Sequence, residues 1–391
     1  MVWYKQKSPF GRSNGSAVAT IEMAKSFAAT YDIHLVSLGR RSSADETPPD
    51  SIEPFKSETV VVPNHAKSAL HRVALLGWYV ALHISGLRSL SDSVDGWRAA
   101  REAVARRVQT TGASVVLSEY LSTRRVVSNV GECVRIIRLM DVDWQNLMEE
   151  SVGRGVLKRI WLRRTAHIIR AKVGSLNADV DHVLFVSEED RIEFLKLGIS
   201  GHVIPVSVPN VRISKTVHED HGFRLVFLGG LNWWPNLDGL KWFIREVLPT
   251  VRSAIPEVEL TVIGTVAATF ALPKDPKVHL IGHVDSLHEE LCKADLGVIP
   301  VAGGTGVKIK ALDMLSVGLP IVAFRNGVRG TSGVRAGAII VDDADDFAQA
   351  IVSLLRSRKD REKLGNSGLA GVTEFHSGGT VTSQLSQLLN A

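Results

Sequence analysis

A glycine-rich segment with two lysines and an aspartate, GGTGVKIKALDMLSVGLP at 303–320, combines residue types that bind a diphosphate. Its glycines let backbone N–H groups approach a ligand, and the helix predicted to follow presents unpaired amides and the positive end of its dipole. Lys308 and Lys310 add two cationic donors, which suit a doubly charged diphosphate. Asp313, about one turn further on, is an acceptor placed for a pair of hydroxyls such as those of a ribose. A turn with two solvated lysines has the same spacing, so the segment alone leaves both interpretations open.

Short apolar runs alternate with longer amphipathic segments, a pattern typical of strand–helix units around parallel sheets. In the first half of the chain, strands are predicted at 32–38, 59–63, 113–119, 134–140, 182–187 and 201–206. In the second half, strands are predicted at 223–229, 258–264, 277–282, 296–301, 320–324 and 337–342. Helices are predicted at 16–30, 95–111, 237–253, 285–294, 306–317, 344–356 and 359–367.

The length of 391 residues exceeds what one ordinary core supports and suits two domains of roughly 150–200 residues each. The expected fold class is α/β, with two Rossmann-like doubly wound domains that face a central cleft. We expect an N-terminal domain at 1–206, a linker at 207–222 and a C-terminal domain at 223–375. A last helix at 376–391 is expected to pack back on the first domain.

Two loops of the second predicted sheet follow the carboxyl ends of strands, which is where open parallel sheets bind ligands. LGGLNWWPN at 228–236 follows the first strand of this sheet, and PVAGGTGVKIK at 300–310 follows a later one. We therefore expect both loops to open onto the cleft between the domains.

These two segments resemble the nucleotide-binding domain of bacterial glycosyltransferases of family 4, which have the GT-B fold. In RLVFLGGLNWWPNLDG, the tryptophan, proline, asparagine, aspartate and glycine of the family's first motif stand in step. Lys308, Lys310 and Asp313 fall on the basic, lysine and ribose-binding acidic positions of its later motif. The resemblance is strong over about 223–375 and diffuse over 1–206. It implies that the donor is bound by Gly229, Gly230, Thr305, Gly306, Lys308, Lys310 and Asp313.

The implied reaction is transfer of a sugar from a nucleotide-sugar donor to an acceptor hydroxyl, with the anomeric configuration retained. Departure of the nucleoside diphosphate develops negative charge, which Lys308, Lys310 and helix-terminal amides would stabilise without a metal ion or another cofactor. The first domain would bind a glycan or lipid-linked acceptor in polysaccharide or glycan biosynthesis. No nucleic-acid partner is expected, because no recognised module accompanies the basic residues.

Three departures from the family pattern bear on activity. Thr305 stands where many members carry a first glutamate that contacts the donor sugar, and Asp313 is one methylene shorter than the usual second glutamate. The first strand is short, since only the apolar MVWY and the polar KQK precede SPFGRSNG, whose Gly11 and Gly15 would form the acceptor and phosphate loop. A glycosyltransferase-like scaffold that binds nucleotide or glycan but no longer transfers is therefore the rival interpretation.

The segment RLMDVDWQNL at 138–147 places two aspartates after a predicted strand. In the GT-B interpretation the end of this strand faces the cleft, and Asp143 would orient the acceptor hydroxyl or act as catalytic base. Asp141 and Asp143 also mimic the metal-binding Asp-x-Asp motif of GT-A, the other major glycosyltransferase fold, which would imply a metal-dependent enzyme. An aspartate that caps the next helix is the third interpretation.

The net charge of +5 lies in the first part of the chain, where residues 1–210 hold 27 Lys and Arg against 22 Asp and Glu. Within it, RGVLKRIWLRRTAHIIRAKVG at 154–174 contains no acid. Its apolar side chains are Leu157, Ile160, Trp161, Ile168 and Ile169. Basic amphipathic helices lie on anionic lipid, so we expect peripheral membrane contact through 154–174; a helix with an ordinary solvated face is the alternative.

The first residues, MVWYKQKSPFG, lack the apolar core of a signal peptide. No uncharged apolar run approaches the ~20 residues that span a bilayer. The expected location is cytoplasmic, at the inner face of the plasma membrane.

Overall fold

The chain groups into two compact units, each with its own sheet. The computed structural model describes residues 1–5, 15–40, 51–52, 55–62, 96–128, 130–209, 223–265, 275–331 and 333–390. The first unit comprises Met1–Arg12 and Ala24–Ile204, and the second comprises Ser13–Met23 and Pro205–Ala391. The predicted linker at 207–222 is therefore described only as far as residue 209.

The first unit is a parallel α/β domain whose strands and helices alternate. Its strands are β1 Val2–Lys5, β2 His34–Arg40, β3 Ser51–Ile52, β4 Phe55–Val62, β5 Val115–Glu119, β6 Val134–Leu139, β7 His182–Phe185 and β8 His202–Val203. The helices that begin in this half of the chain are α1 Gly15–Ala28, α2 Gly96–Thr111, α3 Arg124–Val127, α4 Asp143–Glu150, α5 Val156–Val173, α6 Leu176–Asp179 and α7 Glu188–Leu195. A 3₁₀ turn at Leu121–Thr123 precedes α3.

The strand order of the first sheet is β3-β4-β2-β1-β5-β6-β7-β8, and all neighbours are parallel except β3 and β4. The first strand, β1, is as short as the sequence predicts, yet it lies at the centre of the sheet. It pairs with β2 on one side and β5 on the other, and Val2, Trp3 and Tyr4 are fully buried. Because both neighbours satisfy its backbone groups, four residues complete the sheet.

The second unit contains six strands and the helices between them, within its described residues. The strands are β9 Arg224–Leu228, β10 Glu259–Ile263, β11 Val278–Gly282, β12 Leu296–Ile299, β13 Ile321–Phe324 and β14 Ala338–Val341. The helices are α8 Trp234–Trp242, α9 Leu248–Ala254, α10 Leu287–Cys292, α11 Ile309–Ser316, α12 Ala344–Arg356, α13 Arg358–His376 and α14 Gly378–Asn390. The 3₁₀ turns are Arg325–Val328 and Arg335–Gly337.

The second sheet has the order β11-β10-β9-β12-β13-β14, and every neighbouring pair is parallel. The chain runs outward from β9 to β11 on one side and from β12 to β14 on the other. The order of the strands therefore reverses between β9 and β12. In doubly wound sheets this switch point is where a crevice opens at the carboxyl ends of the strands.

The helix predicted at 237–253 is longer and is interrupted. It begins at Trp234, with Pro235 in its first turn, where the missing amide of proline does no harm. A π-helical turn, Phe243–Val247, separates α8 from α9. Pro249 at the start of α9 has no amide hydrogen to donate to the carbonyl four residues earlier, so regular α-helical bonding cannot continue through this point.

The end of the chain is tied to the residues that lead into the second unit. His376, the last residue of α13, is buried, and its Nδ1 lies 2.8 Å from the Val206 carbonyl oxygen. The Val208 amide donates to the His376 carbonyl at 3.1 Å. The last helix, α14, follows in the second unit, and its predicted packing on the first domain stays a prediction. Across the described part of the chain, no helix combines the length and the apolar character needed to cross a membrane.

Candidate functional site

The loops that follow β9 and β12 are in direct contact at the switch point of the second sheet. A Cβ on Gly239 would lie 2.3 Å from the Pro300 carbonyl oxygen, so only glycine permits this approach. Gly304 has a φ of 86°, and a Cβ there would lie 2.8 Å from the Trp233 ring. The two segments that the sequence singles out, 228–236 and 300–310, therefore form one continuous surface.

Lys308 holds its own loop together. Its side chain is buried, and Nζ donates to the carbonyl oxygens of Gly304, Thr305 and Gly306 at 2.7, 3.1 and 3.2 Å. Three carbonyls occupy the three donors of an ammonium group. The sequence predicts a direct contact between Lys308 and the donor diphosphate. In this structure the three hydrogen bonds of Lys308 go to carbonyls of its own loop, and the direct contact stays a prediction.

Lys310, in the first turn of α11, presents its ammonium group at the junction of the two loops. Nζ hydrogen-bonds to Oδ1 of Asn236 and lies 5.3 Å from the centroid of the buried Phe227 ring. Burial, with a smaller contribution from the nearby charge of Lys308, lowers the pKa of Lys310 to about 7. An anion that bound beside Nζ would favour the charged form.

Asp313 lies one turn after Lys310 on the same helix and is buried. Burial raises the pKa of Asp313 to about 7, and the negative charge of Glu22 acts in the same direction. Residues three apart in a helix share a face, so Lys310 and Asp313 are neighbours. On this one face the Lys310 ammonium suits a phosphate and the Asp313 carboxyl suits hydroxyls, so the pair can bind a ligand that carries both.

Gly229 and Gly230 let the backbone after β9 pass close to these side chains. A Cβ on Gly229 would lie 2.5 Å from Asn236 Nδ2 and 2.8 Å from Lys310 Nζ. Asn236 Nδ2 donates to the Gly230 carbonyl at 2.9 Å, and a Cβ on Gly230 would lie 2.9 Å from Asn232 Oδ1. The asparagine therefore links the first loop to the Lys310 ammonium group.

Thr305 and Gly306 are buried in the second loop, and Gly306 has a φ of 76°. A third loop supports them from behind, because Asn326 Nδ2 donates to the carbonyls of Gly303 and Gly304 at 2.7 and 3.0 Å. No motif in the sequence signals this contribution of Asn326, which lies in the 3₁₀ turn after β13.

The structure brings three of the predicted donor-binding residues, Gly229, Gly230 and Lys310, to one junction in the second unit. Thr305 and Gly306 lie in the loop that Lys308 holds, and Asp313 follows Lys310 on the helix. The ammonium group of Lys310 and the positive end of the α11 dipole together form an anion-binding arrangement, while the amides of Lys308, Ile309 and Ala311 already donate to backbone carbonyls.

Asp143 is the first residue inside α4, and the cap residue of this helix is Val142. The interpretation of Asp143 as the helix cap is therefore wrong. Its carboxyl group is hydrogen-bonded to that of Asp141, and burial raises the pKa of Asp143. Among the residues that the structure describes, no three His, Cys, Asp or Glu side chains are grouped to hold a metal ion. Gly11 lies outside the described residues, and Gly15 is the first residue of α1.

A buried ion pair at the carboxyl ends of β5 and β6 has no signal in the sequence. Arg138 Nη1 lies 3.0 Å from Glu119 Oε1, and neither side chain is exposed. Burial lowers the pKa of Arg138, and its Nε and Nη2 have no hydrogen-bond partner within the described residues. Tyr120, directly after Glu119, has a φ of 74°, which is rare outside glycine. Backbone strain of this kind occurs at functional sites.

The two units are Rossmann-like α/β domains with parallel sheets, and the second carries a lysine-bearing glycine loop at its switch point. This is the GT-B class of fold that the sequence predicts.

Comparison with known proteins finds a family match within the second unit. Residues 222–357 match the family model described as "Glycosyl transferases group 1". A curated protein of Klebsiella pneumoniae, named as an uncharacterized 44.6 kDa protein in the cps region, is 25% identical over 223 residues. The match covers 54% of this chain and 56% of that protein, so the chain spans little more than half the length of this relative.

Two solved structures resemble the whole chain. Anabaena Alr3699/HepE in complex with UDP and glucose has a TM-score of 0.65 at 13% identity, and covers 100% of this chain and 99% of its own. Sucrose-phosphate synthase from Thermosynechococcus elongatus has a TM-score of 0.70 at 14% identity, with 100% and 98% covered. At these identities the likeness shows the fold alone, and it confirms the predicted GT-B class.

Proposed function

We propose that this protein is a glycosyltransferase that moves a sugar from a nucleotide-sugar to an acceptor hydroxyl. The observation that carries the proposal is the junction in the second unit, where the Lys310 ammonium group meets Asn236 and the backbone of Gly229. This junction lies inside the stretch that matches group 1 glycosyltransferases.

The leaving group of such a transfer is a nucleoside diphosphate, which gains negative charge as the bond to the sugar breaks. Lys310 and the positive end of the α11 dipole are fixed in advance, so they stabilise this charge without reorganisation. The buried charge of Lys308 adds to the field from behind the loop. Asp313 accepts hydrogen bonds from the ribose hydroxyls.

The finer features of the reaction extend this proposal. Transfer retains the anomeric configuration, requires no metal ion or other cofactor, and belongs to the family 4 pattern of polysaccharide or glycan biosynthesis. The acceptor is a glycan or lipid-linked hydroxyl, and Asp143 orients it or removes its proton. Burial raises the pKa of Asp143, which is the direction that makes a carboxylate a better proton acceptor. UDP-sugars are the first donors to test, because the similar HepE structure is a complex with UDP and glucose.

Calorimetry with UDP, GDP and ADP tests the donor site. The parent protein is expected to bind one of them, and Lys310→Ala is expected to remove most of this binding. Lys359→Ala, which changes an exposed lysine of α13 in the same unit, is the matched control and should bind as the parent does. Unchanged nucleotide affinity in Lys310→Ala would refute the role of Lys310.

A scaffold that binds nucleotide without transferring sugar is the second candidate. Thr305 in place of the family's first glutamate and the loop-bound Lys308 ammonium group favour it. Incubation with several nucleotide-sugars, with and without EDTA, separates the candidates. Transfer or donor hydrolysis that survives EDTA supports the metal-independent enzyme, activity that EDTA removes supports a metal-dependent one, and binding without either reaction supports the scaffold.

A further inference from the structure

An exposed apolar patch lies where α4 ends and α5 begins. The described part of the chain exposes twelve large apolar side chains. Six of them fall within the 14 residues 148–161. The patch consists of Met148, Val152, Val156, Leu157, Ile160 and Trp161. Leu157 is 85% exposed and Val152 is 72% exposed, which is far more than a packed helix surface shows. Exposed apolar side chains grouped in one short segment in this way indicate a binding surface.

The outward face of α5 differs from the one that its sequence predicts. Ile168 is buried and Ile169 packs against the core, so neither contributes to the outer surface, while Leu157, Ile160 and Trp161 do. The inward face consists of Leu162, Thr165, Ala166, Ile168 and Val173. Val152 and Val156, which precede the periodic part of the helix, complete the apolar patch.

Cationic side chains continue the outward face of α5 beyond the apolar patch. Arg159, Arg163, Arg164, His167 and Arg170 are all exposed, and residues 154–174 contain no acid. Two acids at the end of α4 partly offset this charge: Glu149 is exposed, and Glu150 Oε1 lies 3.0 Å from Lys158 Nζ. The helix of 18 residues therefore has an apolar first part and a cationic remainder.

We propose that this surface seats on an anionic lipid bilayer, with α5 lying in the plane of the headgroups. The apolar patch enters the boundary between headgroups and acyl chains, and the arginines remain among the lipid phosphates. A tryptophan at the edge of the patch suits this interface because its ring is apolar and its N–H is polar. Long arginine side chains reach the phosphates while their stems cover apolar surface.

Charge distinguishes this occupant from a second copy of the same chain. A symmetric dimer through the apolar patch would set the same surface against itself, and would bring Arg159, Arg163 and Arg164 of both copies together. Like charges at close range oppose such pairing, whereas a bilayer with negative headgroups offers opposite charge along the whole helix. Lipid contact through this surface does not depend on the donor site of the second unit.

Sedimentation with lipid vesicles tests the proposal. The probes are vesicles of phosphatidylcholine alone and vesicles of phosphatidylcholine with phosphatidylglycerol. The full chain is expected to sediment with the second kind and to remain in solution with the first. Added salt should weaken the binding, because exposed charges are screened.

Two double variants separate the apolar and electrostatic contributions. Leu157→Gln with Ile160→Gln is expected to weaken partition into anionic vesicles more than tenfold, because two apolar side chains no longer leave water. Arg163→Gln with Arg164→Gln is expected to weaken it about fivefold for each charge removed. All four side chains are exposed, so the variants should fold as the parent does.

Matched controls change the same residue types elsewhere. Leu280→Gln with Ile281→Gln alters two exposed apolar residues of β11, and Lys359→Gln with Lys363→Gln removes two exposed charges of α13. Both controls should bind vesicles as the parent does, and all variants should keep nucleotide affinity. Equal partition of parent and patch variants would overturn the proposal, as would equal binding to both kinds of vesicle. Concentration-dependent dimers that the Leu157→Gln, Ile160→Gln variant abolishes would identify a second copy as the occupant instead.

Discussion

The affinity of this protein for a nucleoside diphosphate is expected to fall as pH rises from about 7 to about 9. Without ligand, the Lys310 ammonium group has a pKa of about 7, so about half of it is charged at the lower pH and about one part in a hundred at the higher pH. If only the charged form binds the diphosphate, affinity falls by about fiftyfold, or about 2.3 kcal/mol. This figure is an upper limit, because solvent screens part of the interaction.

The sign of the effect follows from the direction of the pKa shift. Burial lowers the pKa of the lysine in the unliganded protein, and a bound dianion raises it again, so binding takes up a proton at neutral pH. A terminal phosphate has its second pKa near ~6, so the nucleotide itself gains little charge over this range. Isothermal titration calorimetry in buffers of different ionisation enthalpy measures both the affinity and the proton uptake.

Lys310→Arg is the control for this prediction. A guanidinium group stays charged throughout the range, so affinity in this variant should be nearly independent of pH, whatever its absolute value. Lys310→Met should bind weakly at every pH. A parent profile as flat as that of Lys310→Arg, with no proton uptake, would refute the reasoning.

Three further predictions concern single side chains. Lys308→Met should lower both the melting temperature and nucleotide affinity, because three loop carbonyls lose a shared donor at a cost of about 1–3 kcal/mol. A melting temperature equal to that of the parent would contradict the structural role of Lys308. Asp313→Asn should raise the melting temperature at pH 8 but not at pH 4. The folded pKa of Asp313 is raised to about 7, so between the ordinary carboxyl pKa and about 7 the unfolded chain has lost a proton that the folded protein keeps, and the free energy of unfolding falls over that range. An equal change at both pH values would show that burial does not oppose ionisation. Asp143→Asn should lower turnover more than donor affinity in a steady-state transfer assay, and a fully active variant would exclude a catalytic use of Asp143.

The strands of the second unit, and its helix at 344–356, could be predicted from the local pattern of apolar and polar residues. Each of its six predicted strands coincides with an observed one to within two residues at either end, and the helix predicted at 344–356 has those bounds. These strands and helices are predictable because short apolar runs and amphipathic segments are formed by residues close together in the chain. The cap of this helix is equally local, since Asp343 accepts a hydrogen bond from the Asp346 amide at 2.9 Å. The π-helical turn escaped prediction because periodicity does not reveal where backbone bonding changes.

The parts of the candidate site were also readable, but their arrangement was not. Two lysines two residues apart look equivalent in sequence, yet Lys308 turns into its own loop and Lys310 turns towards Asn236, which is 74 residues away along the chain. The sequence also fails to show which apolar side chains are exposed around α5. Ile168 was expected to contribute to the apolar surface and is buried, while Val152 carried no periodic signal and is exposed.

The amino-acid pattern was sufficient to predict two α/β domains, a glycine-rich loop with two lysines and a basic amphipathic helix, because each of these depends on residues close together in the chain. Folding established which ammonium group faces the junction, how far the pKa values of Lys310 and Asp313 move, and which side of α5 stays in water. Those properties depend on burial and on contacts between distant segments, and hydrophobic periodicity carries no information about either.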